Sequence, residues 1–176
     1  MSGLFKRRMA PEGATRFVLG ADIAAPAEAV YALLDWSSPV NAKRQLGHSV
    51  MALGAAGDRF RMIMTSMPDH CFDFRVTQAR HPLIYEFESE ILPRVGRLCG
   101  ESEHYGIEHV GENACRVTLT VDADFGTGLN MREFRHESET MTLACLQGLT
   151  KLKIHAEQGA DAVRMLESTQ GTAAAV

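Results

Sequence analysis

The sequence predicts an α+β domain. A curved antiparallel sheet of seven strands wraps one long C-terminal helix, and two short helices follow the first strand. Three observations carry this reading. From about Asn130 to Ala156, apolar residues recur at helical spacing, with Met141, Cys145, Gly148, Leu149, Leu152 and Ala156 within about 60° of Phe134 on the wheel. From Gly47 to Phe125 the period switches to two, as in half-buried strands. Short turns join those stretches, so neighbouring strands run antiparallel and their one apolar face needs a cover.

In chain order, RFVLGADI (16–23) alternates and is the first strand. Pro26 suits a first helical turn, and Ala27, Val30, Tyr31, Leu33 and Leu34 give the short helix that follows its apolar side. Ser37, Ser38 and Pro39 break it, and VNAKRQLG (40–47) reads as a second short helix or turn. HSVMAL and RFRMIMTSM form a hairpin around the AAGD turn, and Pro68-Asp69 turns the chain into HCFDFRVTQAR. After His81-Pro82 comes LIYEFESEIL, then the loop Arg94 to Arg97 and the strand LCGESEHYGIEHV. Gly111 to Asn113 turns into CRVTLTVDADF, and Gly126-Thr127-Gly128 leads into the long helix. There Asn130 and Glu133 have the spacing of a capping pair.

The dry face of the sheet reads Phe72, Phe74 and Val76; Tyr85, Phe87 and Ile91; Val117, Leu119 and Val121. Asp73, Arg75, Glu86, Glu88, Glu90, Arg116, Thr118, Thr120 and Asp122 take the wet face. Residues 1–15 read as a disordered N-terminal arm, 16–168 as one domain and 169–176 as a disordered tail.

At 176 residues with net charge −4, the chain suits one domain with a real core and gives no reason to expect nucleic acid as a partner. No apolar run approaches the ~18 residues that span a bilayer. Cys71, Cys99, Cys115 and Cys145 lack paired spacing, and no apolar secretion signal follows the basic residues of the N-terminus. Reduced thiols and a cytoplasmic location are the expectation. Phosphate-loop, nucleophile-elbow, paired-cysteine and zinc-protease motifs are absent, so no cofactor and no metal is expected. The glycines of GTGLNM (126–131) follow a hairpin sheet without a βαβ unit and read as a turn.

Taken together, ADIAAPAEAVYALLDW, YGIEHVGENACRVTLTVDADF and the terminal helix give a chain that resembles the START/Bet v 1-like (SRPBCC) superfamily, which includes polyketide cyclase/dehydrase-like and lipid-transport proteins. The likeness runs from about Arg16 to Met165 and rests on apolar patterns and turn glycines. It implies a helix-grip fold, with a cavity between sheet and helix for an apolar small molecule.

The residues expected around that cavity are Met62, Met64, Phe72, Phe74, Tyr85, Phe87, Glu103, Tyr105, Met141, Cys145 and Leu149. Tyr85 and Tyr105 suit a mostly dry pocket with a polar anchor, and core packing is the alternative for each. If Tyr105 and Ile107 point inward, Glu103 and Glu101 are drawn toward the cavity, where a carboxyl can serve as general acid or base. A bulge around Gly106 would instead leave both in water. Three functions are therefore carried: first a binding protein for a hydrophobic or amphipathic small molecule, then a cyclase- or dehydratase-type enzyme using acid–base groups in the same cavity, and third a structural or regulatory module with a filled core. Leu143, Leu146 and Ile154 fall on the helix side away from the sheet, and with a helix long enough to overhang they suggest a homodimer contact.

Overall fold

The computed structural model describes residues 8–173, with side chains as far as Thr169. Its elements are β1 (Thr15–Ile23), α1 (Ala27–Leu34), α2 (Ala42–Gln45), β2 (Ser49–Ala52), β3 (Arg59–Met64), β4 (Met67–Arg80), β5 (Ile84–Leu92), β6 (Gly100–Gly111), β7 (Ala114–Asp124), α3 (Met131–Gln158) and α4 (Ala160–Ala173). All seven strands join one antiparallel sheet in the order β1-β7-β6-β5-β4-β3-β2. Hairpins lay β2 to β7 side by side, and β1 pairs with β7. The chain therefore crosses from one sheet edge to the other through α1 and α2.

The register aligns Tyr85 with Tyr105, Tyr105 with Leu119, and Leu119 with Leu19. Because side chains alternate, this fixes which face of every strand is dry. Tyr85, Phe87, Val117 and Leu119 are buried, Glu88 and Thr118 are exposed, and Glu86 is half-buried. Cross-strand pairs such as Arg61–Asp73 and Arg16–Asp122 lace the outer face. Solvent screening at these exposures leaves each with little effect on stability.

β4 begins earlier than the pattern suggested. The turn falls at Thr65-Ser66, and Pro68 and Asp69 lie within the strand. Pro68 is tolerated because it falls between the pairs Met64–Met67 and Met62–Phe72, where the register slips.

Asn130 caps α3 as its spacing indicated. Its Oδ1 accepts from the backbone N–H of Arg132 and Glu133, and Glu133 Oε2 accepts from the Asn130 N–H in return. The helix buries Met141, Cys145, Leu149, Leu152 and His155. Gly159, at φ 88°, ends it in a conformation that favours glycine. Lys151 Nζ then reaches Glu167 Oε1 at 2.7 Å. In one straight helix those residues would be about 24 Å apart. The chain must therefore reverse, and α4 returns against α3, burying Val163, instead of overhanging.

α4 continues to Ala173, past the end expected for the domain at residue 168; of the tail expected to be disordered, 174–176 lie outside the described residues. At the other end, Met9 bridges Asn130, and Ala10 N–H donates to the Leu129 carbonyl. Part of the expected disordered arm is thus bonded to the start of α3, while residues 1–7 lie outside the described residues. Leu143 and Leu146 are exposed and Ile154 is half-buried. Among the described residues no helix is long and apolar enough to cross a membrane.

Candidate functional site

Sheet and α3 diverge around a cavity of about 330 Å³. Of the residues expected there, Met62, Met64, Phe72, Phe74, Phe87, Glu103, Tyr105, Met141 and Cys145 line it. Tyr85 and Leu149 do not. Leu149 is packed core, and the Tyr85 hydroxyl is spent inside the protein, accepting from the Trp36 backbone N–H at 2.9 Å and donating to Asp35 Oδ1 at 3.3 Å. Exposed Ala144 and Gly148 also line the cavity, which places its mouth beside α3.

No bulge interrupts β6 at Gly106. Its pairing with both neighbours runs unbroken through Glu101, Glu103 and Tyr105, and the irregularity comes only after His109. Period-two alternation therefore carries both carboxyls inward with the tyrosine. Tyr105 donates its hydroxyl hydrogen to Glu103 Oε2 at 2.6 Å, and Ser89 Oγ on β5 donates to Glu101 Oε1 at 3.0 Å. Burial, then the neighbouring Glu103 charge, pushes the Glu101 carboxyl up to about 7. Burial likewise raises Glu103, against the Tyr105 hydrogen bond and the charge of Lys43.

The aromatic wall is ordered by Trp36, which stacks on Phe74 at 4.0 Å between centroids and meets Phe87 edge-on at 5.7 Å. Lys43, which lines the same cavity, comes from α2, a helix of one turn held by Asn41. The Asn41 side chain accepts from the backbone N–H of Lys43 and Arg44 and donates to the carbonyls of Leu33, Leu34 and Asp35. One buried amide thus closes the end of α1 and the start of α2. Burial lowers the Lys43 ammonium below the ordinary lysine value, with Glu103 opposing that effect. His155 also lines the cavity, its Nε2 3.1 Å from Gln45 Oε1, and burial keeps it below the usual histidine value.

Sequence reading missed Trp36, Lys43, Ser89 and His155. Ser89 was legible in principle, since it shares the parity of Phe87 on β5. Lys43 and Trp36 come from segments too short for any periodicity to show.

The carboxyl pair gives a pH signature. Glu101 holds its proton to about pH 7 in the fold, whereas an unfolded glutamate releases it near 4.5. Between those values the native state binds more protons than the unfolded one, so stability falls as pH rises through this window. Glu101→Gln keeps an acceptor for Ser89 and cannot ionise. Wild type should lose on the order of 2 kcal/mol more than this variant between pH 5 and pH 8, as read from urea midpoints. Parallel pH profiles for the two proteins would refute the assignment.

A wider groove on the outer sheet face, lined by Asp73, Arg75, Glu88, Glu90 and Asp122, is open and already laced by ion pairs. No group of three or more His, Cys, Asp or Glu side chains among the described residues is placed to hold a metal ion.

Against known proteins, no sequence family and no curated protein matches the chain. Solved structures do match its fold. Ara h 8.0201 superposes with TM-score 0.58 at 9% identity, over 75% of this chain and 92% of its own. A START superfamily protein from Mycobacterium smegmatis gives 0.50 at 13%, over 75% and 92%. The di-domain ARO/CYC BexL from the BE-7585A biosynthetic pathway gives 0.60 at 14%, over 84% of this chain and 46% of BexL, so the chain spans about half its length. The architecture is the helix-grip fold of START/Bet v 1-like proteins.

Proposed function

Taking that fold as premise, we propose that the chain binds an amphipathic small molecule between its sheet and α3. The carrying observation is the cavity itself, which has the size of a small-molecule pocket. Apolar surface from Phe72, Phe74, Phe87 and Met141 faces the body of the ligand. Its polar end meets Glu101, Glu103, Tyr105 and Lys43. The helix-grip likeness supports this reading at the level of fold.

A second reading is favoured by a specific feature. Two carboxyls whose proton affinity burial raises, one bonded to a phenol and both sharing a cavity with an amine, are the equipment of acid–base catalysis. An enzyme acting on the bound molecule, of the cyclase or dehydratase kind, uses the same residues. BexL, an ARO/CYC protein by name, is of interest here, although the likeness extends only to fold.

Trp36 is the one tryptophan of the chain and lines the cavity, so its fluorescence reports occupancy. Titration with cis-parinaric acid should give saturable quenching at one ligand per chain. Native mass spectrometry of protein from its host should show a retained small molecule, with a substrate–product pair if the enzyme reading holds. Quenching that never saturates, with no retained mass, would end the binding proposal.

A further inference from the structure

The chain has four lysines: Lys6, Lys43, Lys151 and Lys153. Lys151 is paired with Glu167, and Lys153 is bonded to Glu157 and to the Asp22 carbonyl. Lys6 lies outside the described residues. The Lys43 side chain alone among those of the described lysines has no hydrogen-bond or ion-pair partner, and it lines the cavity together with Glu103. An arginine would give a permanent cation for anchoring an anion. A lysine in a desolvated pocket offers what arginine cannot, a nucleophilic amine.

We propose that Lys43 captures the carbonyl carbon of an aldehyde or ketone ligand as an iminium, with Glu103 moving the protons. This rests on the cavity being a ligand site and narrows the ligand to carbonyl compounds with an apolar body. With no direct bond between them, the ammonium first gives a proton to the Glu103 carboxylate through one intervening water. The freed Nζ lone pair attacks the carbonyl carbon, and the C=O π pair moves to oxygen. The nitrogen then loses a proton and the oxygen gains one through the same carboxyl, giving the carbinolamine. Protonation of its hydroxyl lets it leave as water while the nitrogen lone pair forms the C=N bond. Ammonium plus carbonyl has become iminium plus water, with charge and atoms conserved and no redox partner needed. Tyr105 holds Glu103 in place through its 2.6 Å hydrogen bond, and Glu101 supplies a second carboxyl on the same wall. Burial, which weakens the ammonium, adds to the free-amine fraction near neutral pH.

The test uses the full chain, 6-methoxy-2-naphthaldehyde and sodium cyanoborohydride at pH 7, followed by intact mass and peptide mapping. One reduced adduct per chain is expected, on Lys43, forming at least tenfold faster than on the other three lysines and the N-terminal amine together. Lys43→Met and Lys43→Arg should abolish it while keeping the wild-type circular dichroism spectrum and urea midpoint, which shows the fold intact. Glu103→Gln should slow trapping by about tenfold or more. Adducts spread evenly over all amines, or no Lys43 adduct above that of urea-unfolded protein, would overturn the proposal. Trapping decides it whatever the parinaric titration shows, and that titration alone decides the cavity reading. Trapping absent with parinaric binding intact would leave Lys43 as a charge partner for anionic ligands.

Discussion

Cys145→Phe is expected to abolish ligand binding, weakening cis-parinaric acid by about 100-fold or more, while the protein still folds. Cys145 lies on the gripping stripe of α3, buried yet lining the cavity. Burial raises its thiol to about 12, helped by the charges of Glu103 and Glu101, which line the same cavity. A phenyl ring built there enters the space that the polar end of a ligand needs. In a filled core the same substitution would force neighbours from their rotamers at about 1–3 kcal/mol. In an open cavity it finds room, so the melt should shift little or even upward. Leu149, one turn further on and fully packed, is the control, and Leu149→Phe should lower the melting temperature clearly. The measurement is a thermal melt of all three proteins with and without ligand. A Cys145→Phe protein that melts well below wild type, with no ligand response from either, would mean the site is solid core.

How much of this was legible beforehand divides along physical lines. Sheet face, hairpin succession and helix cap were readable because each is a local periodic signal. The parity that buries Phe87 exposes Glu88, and Asn130 needs only its own next three residues to cap. The inward course of Glu101 and Glu103 was readable only as a condition. Parity carries them inward if β6 stays regular, and regularity is set by its pairing with β5 and β7. Lys43 and Trp36 were not readable. Their placement follows from Asn41 tying α1 to α2 and from α1–α2 crossing between sheet edges, which are contacts across the fold. The expected overhang of the C-terminal helix failed on one residue. Gly159 terminates α3 and lets α4 fold back, where helical patterning on both sides had suggested continuation.

The two tyrosines test whether the boundary between core and site has been drawn correctly. Both sit on adjacent strands, face the same way and are aligned across the β5–β6 ladder. By parity alone they are equivalent. The structure separates them by where each hydroxyl goes. Tyr85 is almost wholly buried and its oxygen accepts the backbone N–H of Trp36, so Tyr85→Phe strands a buried donor. That should cost about 1–3 kcal/mol in a urea melt. Affinity should stay within about twofold, because the hydroxyl never reaches the cavity. Tyr105 lines the cavity and its hydrogen bond holds Glu103 below the value that burial would otherwise set. In Tyr105→Phe that carboxyl takes up its proton more readily, which relieves the loss of its donor and keeps the stability change below about 1 kcal/mol. Binding should suffer instead, weakening a ligand whose polar end reaches β6 by about tenfold, the equivalent of one good hydrogen bond. Trp36 quenching and urea midpoints on both variants give the four numbers required. If Tyr85→Phe loses affinity and Tyr105→Phe loses stability, the polar end of the cavity lies against α1 and not against the carboxyls of β6.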